Sequence, residues 1–174
     1  MAADEHPQTD EARRELPAAR DVRYGAAVYG SFLVASVVGT SYEAGDDART
    51  ITATLFASMA VFWLAHAWSE AVGHNVADGR RFKPGRIRDI ARREWPLVEA
   101  AVVPTLLLAL AWAGLWSRQT GAMLALVAAV LQITGWGFLA GLRSGANLLR
   151  AGLLGAVQGM LGVVLLALEW LIHH

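Results

Sequence analysis

Three ionisable residues stand four apart in and just past one long apolar run: His66, Glu70 and His74. On a helix each four-residue step turns about 400°, so the three side chains drift over roughly 80° and share one face. A fourth group joins them by topology. Only three acidic residues fall inside the apolar stretches, Glu70, Glu99 and Glu169. Glu70 lies near the end of its stretch, and Glu99 lies shortly after the next stretch begins. At a rise of about 1.5 Å per residue the two carboxylates reach similar depth, with His66 about 6 Å deeper and His74 about 6 Å shallower than Glu70. Two imidazoles and two carboxylates suit a borderline divalent metal ion, or protons. The expected site is thus His66, Glu70, His74 and Glu99, with a divalent metal ion as its candidate occupant. Gln132, Thr134 and Gln158 would extend a polar route deeper, toward Glu169 and the terminal His173 and His174. A structural reading of the same residues also stands: near the headgroups, salt bridges and snorkelling to the many arginines would satisfy them without function.

The elements that must position these groups are apolar helices. The chain has 174 residues, 55% hydrophobic, with no cysteine and a mean hydropathy of +0.39. Five stretches, at about 24–40, 50–73, 95–116, 120–142 and 147–171, approach the roughly 20 helical residues that cross a hydrocarbon core. The pattern has no dyad alternation of polar and apolar residues, which argues against a barrel. The fold expected is all-α, one bundle of five transmembrane helices over 23–174. Residues 1–22, with Pro7, Pro17 and mixed charge, read as a mobile cytoplasmic tail with no signal-peptide core.

Zero net charge conceals an asymmetry. Arg13, Arg14, Arg20 and Arg23 precede the first span. Arg80, Arg81, Lys83, Arg86, Arg88, Arg92 and Arg93 fill the 74–94 loop, and Arg143 and Arg150 flank the last turn, leaving Arg49 and Arg118 on the other side. The positive-inside rule then puts the N-terminus in the cytoplasm and the C-terminus outside. The Ala, Gly, Arg and Trp bias fits a GC-rich bacterial genome, so the expected location is a bacterial plasma (inner) membrane. In the basic loop Ile87, Ile90 and Ala91 share a face opposite the arginines, an amphipathic helix suited to the inner headgroup layer. The charge serves topology and lipid contact, so nucleic acid is not an expected partner.

Small residues form stripes at Ala27, Ser31, Ala35 and Gly39, at Gly137, Gly141 and Gly145, and at Gly152, Gly155, Gly159 and Gly162. Such stripes let helices approach closely in lipid. They serve either contacts within one chain or a homodimer through Gly137, Gly141, Gly155 and Gly159; five helices leave an odd bundle that a symmetric pair would complete. Trp63, Trp68 and Trp136 fall deep in their spans, where packing is the expected role. No zincin His-Glu-x-x-His, nucleophile elbow or phosphate-cradling loop is present, so the sequence reads as non-enzymatic.

The blocks Arg23-Tyr-Gly-Ala-Ala-Val-Tyr-Gly, Trp63-Leu-Ala-His-Ala-Trp-Ser-Glu, Arg93-Glu-Trp-Pro-Leu-Val-Glu and the Gly-rich stretch 135–162 cover much of the chain. On these it resembles a family of small five-span integral membrane proteins of actinobacteria, a resemblance that implies the fold and no activity. A fainter similarity is to vacuolar iron transporters, which have five spans and an insertion between spans two and three. That family's insertion is long and rich in metal-binding Glu, whereas the one here is short and basic. The functional expectation is an ion, proton or divalent-metal transporter-like protein. The alternative is a non-catalytic membrane scaffold or subunit assembling through its Gly-rich faces.

Overall fold

A computed structural model describes the backbone of residues 8–78 and 84–173, and the side chains of 24–73, 85, 87–168 and 171. Six helices follow in order: α1 (Gln8–Glu43), α2 (Ala48–Asp78), α3 (Pro84–Arg93), α4 (Trp95–Trp112), α5 (Arg118–Arg143) and α6 (Leu148–His173). Five of them are long and apolar enough to cross a membrane, over Tyr24–Glu43, Ala48–Gly73, Trp95–Trp112, Arg118–Arg143 and Leu148–Leu168. The fold is an all-α bundle, consistent with a multi-pass integral membrane protein. Leu, Val and Phe side chains cover its outer surface, among them Phe56, Val61, Leu131 and Leu149, each more than 60% exposed. Only a hydrocarbon surround makes such a surface inexpensive.

Two boundaries differ from the sequence expectation for physical reasons. Helix α1 begins at Gln8, inside the segment expected as tail. Extending an existing helix adds a hydrogen bond per residue without a new nucleation cost, and the Glu-Ala-Arg-Arg-Glu-Leu run suits it. Helix α4 ends at Trp112 rather than near Trp116, because Gly114 turns the chain at φ +86.

The turns repeat one design. Gly45 and Gly145 sit at φ +84 and +83, a conformation that a Cβ would strain. In the first turn the Asp46 N–H donates to Ser41 O and the Gly45 N–H to Tyr42 O, both at 3.1 Å. In the second, the Ala146 N–H donates to Gly141 O at 3.1 Å and the Gly145 N–H to Leu142 O at 3.2 Å. This is the Schellman pattern, which uses up the last carbonyls of the outgoing helix. Two residues after each glycine stands a cap: Asp47 Oδ1 accepts from the Thr50 N–H at 2.7 Å, and Asn147 Oδ1 from the Arg150 N–H at 2.9 Å. The α4–α5 turn has one more residue and uses Ser117, whose Oγ accepts from the Thr120 N–H at 3.1 Å.

Helix α1 is the hub and packs against α2, α4, α5 and α6. Half of its most apolar window is buried, against 22% for α2 and for α6. Its small-residue stripe explains this: Ala27, Ser31, Ala35 and Gly39 are all buried. A Cβ on Gly30 would lie 2.6 Å from Leu97 O, so α1 and α4 meet at backbone distance.

The glycines of α5 and α6 close on each other within the single chain. A Cβ on Gly141 would come 2.8 Å from the Ala151 Cα, and one on Gly155 would come 2.8 Å from Thr134 O. A Cβ on Gly137 would run into the Gln158 amide, and one on Gly159 into Thr134 Oγ1. The faces of Gly137, Gly141, Gly155 and Gly159 are therefore filled from inside the chain. Gln158 Oε1 in this seam, and Gln132 Oε1 on α5, are buried without a hydrogen-bond partner.

Candidate proton or cation site

The apolar face of α3 docks on α2 rather than facing the headgroup layer. Ile90 is buried with Ala67 and Ala71, and Ile87 and Ala91 pack alongside. Alanines on α2 leave room for this approach. Trp63 then locks it, its Nε1–H donating to Ala91 O at 3.0 Å. Trp63 also meets Trp95 edge to face, centroids 5.9 Å apart at 88°.

One residue joins α3 to α4, and that residue is Glu94. Its N–H donates to Ile90 O at 3.0 Å, and its carbonyl accepts from the Leu97 N–H at 3.1 Å. It occupies the N-cap position of α4 with helical φ −84 and ψ −1, so its side chain makes no cap bond. The chain can therefore run on with Trp95 and Pro96 opening α4, proline being well suited to a first turn. Freed from capping, the carboxylate turns inward. Glu94 is 3% exposed, and its Oε2 lies 3.3 Å from His66 Nε2. The approach is off the line of a hydrogen bond, and Oε2 finds no other partner.

Electrostatics at this point pull in two directions. Burial pushes the Glu94 carboxyl above its ordinary value; His66 opposes the rise and the charge of Glu70 adds to it. His66 itself keeps nearly half of its side chain exposed, at 46%. The Tyr29 ring from α1 flanks it, centroid to centroid 6.2 Å. A buried carboxylate, a half-open imidazole and a second carboxylate close enough to be felt make a group that can exchange a proton or attract a cation.

The expected constellation is thus partly assembled and partly rearranged. His66 is at the centre, with Glu70 on the same helix and electrostatically coupled through Glu94. Glu99 is exposed on α4; the carboxylate that meets His66 is Glu94, five residues earlier. The side chains of His74, Glu169 and His173, and all of His174, lie outside the described residues. Among the described residues no three His, Asp or Glu side chains converge as a metal site. Trp68, expected to pack, is 57% exposed; Trp136 packs edge-on to Tyr24 with centroids 6.0 Å apart.

The sequence held a signal for Glu94. Ile87, Ile90 and Ala91 define the buried stripe of α3 at i, i+3 and i+4, and Glu94 is i+7 on that stripe. An acid that continues an apolar stripe is placed to be buried. The arginines around it disguised it as one more loop charge. Beyond the chain itself there is nothing to borrow: no family model, no curated protein and no solved structure matches it.

Proposed function

We propose that this protein handles protons or small cations across or at the membrane, as a small transporter-like protein working through His66, Glu94 and Glu70. The observation that carries this reading is the Glu94 carboxylate: buried, without a hydrogen bond at Oε2, and 3.3 Å from a half-exposed imidazole. Burying a charge or a bare acceptor is costly unless something compensates. A proton on the Glu94 carboxyl compensates it, and so does a transient cation. The chemistry follows from the geometry. His66 takes a proton from the open side and, on turning into line with Glu94 Oε2 3.3 Å away, passes it on, while the charge of Glu70 adds to the negative potential there. A proton or a singly charged cation fits better than a divalent metal ion, since among the described residues no three His, Asp or Glu side chains converge.

A scaffold built on the glycine faces has less support, because those faces are occupied within the chain. The test is flux. Purified protein in liposomes loaded with a pH-sensitive dye is driven by an imposed potassium diffusion potential. Wild-type protein should acidify or alkalinise the lumen faster than empty liposomes. Glu94→Gln and His66→Ala should fall to the empty-liposome rate, and Glu99→Gln should keep the wild-type rate. Wild-type protein that moves neither protons nor alkali cations under any imposed gradient would sink the proposal.

A further inference from the structure

Beside the docked α3 lies an open groove of about 390 Å³, lined by Trp63, Arg88, Ala91, Arg92 and Trp95. That volume is within the range of small-ligand sites. Its walls are nearly all apolar, and its only charges among the described residues are the two guanidiniums. Arg88 and Arg92 stand one turn apart on α3 and are both exposed. Neither has an acidic side chain within ion-pair reach among the described residues. The backbone inside the groove is already committed, since Ala91 O accepts from the Trp63 indole. Trp95 opens the span Trp95–Trp112 and is half exposed, so the groove sits where hydrocarbon gives way to headgroups.

These features select one occupant. A soluble anion would use the arginines but leave the indole walls wet. An apolar chain would use the walls but leave two guanidiniums without an anion at the membrane boundary. A phospholipid with a net negative headgroup uses both: its phosphate bridges Arg88 and Arg92, and its glycerol and upper acyl segment lie on Trp63 and Trp95. We propose that this groove is a binding site for one acidic phospholipid, and that the lipid, once bound, ties α3 to the start of α4.

Native mass spectrometry of the full chain in a neutral detergent tests this. The protein is offered equimolar phosphatidylglycerol and phosphatidylcholine, and the singly lipid-bound species are counted. Wild type should retain phosphatidylglycerol in preference, and each of Arg88→Gln and Arg92→Gln should reduce the preference about fivefold. Neither arginine has a side-chain hydrogen bond or ion pair among the described residues, so these variants should keep the wild-type circular dichroism. Arg143→Gln and Arg150→Gln, which remove charge near the α5–α6 turn, should leave the preference intact. Three results would overturn the proposal: equal retention of the two lipids by wild type, the same loss of preference in the Arg143 and Arg150 variants, or displacement of phosphatidylglycerol by millimolar inorganic phosphate, which would make the site one for a free anion.

Discussion

The two ends of the bundle treat charge in opposite ways. At the end formed by the α1–α2 and α4–α5 turns, both basic residues are held by the protein. The Arg118 guanidinium donates to Asp46 O at 2.7 Å and stands 4.6 Å over the Tyr42 ring. Arg49 lies 5.9 Å over Trp112. Asp47 and Ser117 cap their helices, and the Thr50 N–H holds the Asp47 carboxyl below its ordinary value. At the α3 end, Arg88 and Arg92 face outward and Glu94 faces inward with an oxygen left without a hydrogen bond. One end holds both of its arginines and its helix caps in local contacts. The other keeps polar groups in reserve. Unspent polar chemistry beside a membrane is costly, which is why the functional proposals belong at that end.

Four substitutions can break or sharpen this contrast. The largest effect is expected at the closed end from Gly121→Leu. A Cβ at Gly121 would already lie 2.5 Å from the Ala111 Cβ and 3.2 Å from Trp116 Nε1. Overpacking of this kind should cost about 3 kcal/mol, read as a lower midpoint of thermal unfolding in detergent. An unchanged midpoint would mean that the closed end is looser than its geometry. Arg118→Ala comes next. It removes the charged donor that ties the start of α5 to the α1–α2 turn and should cost about 2 kcal/mol in the same assay.

Glu94→Gln should act with a sign set by pH. Ionising Glu94 costs more in the folded protein than in the unfolded chain, because its folded value is raised above the ordinary 4.5. The protonated carboxyl's contribution is thus complete below 4.5 and is lost as pH rises through the raised folded value. The glutamine does not titrate, so the variant should gain on wild type as pH climbs through that window. A difference that stays flat with pH would show that the Glu94 proton is not linked to folding. The smallest effect is expected from Gly73→Ala on α2, at the α3 end. Nothing lies within 4 Å of a Cβ there. The substitution should stabilise by about 0.5 to 1 kcal/mol through helix propensity alone. Set against Gly121→Leu, it shows that a glycine's neighbours, not its identity, decide its worth.

Much of this molecule was legible in its sequence. Hydropathy alone determines five spans, because a helix must be long and apolar to satisfy its backbone in lipid. The α1–α2 and α5–α6 turns are local chemistry: Gly45-Asp46-Asp47 and Gly145-Ala146-Asn147 each pair a positive-φ residue with a cap. The stripes of small residues marked faces that close at Gly137, Gly141, Gly155 and Gly159, but Gly145 turns the chain and nothing approaches Gly152. Periodicity could not say which face meets which. Gly137 and Gly155 could have met a second chain as readily as each other, and only the packed bundle brings α5 onto α6. Glu99 and Glu94 differ by five residues, about 140° beyond one full turn of helix, so they do not share a face; Glu94 is buried and Glu99 exposed. Depth along the membrane normal was computable from the sequence; azimuth around it was not. The tertiary structure decided that azimuth by seating Ile90 on Ala67 and Ala71, which swings Glu94 toward His66 and leaves Glu99 outside.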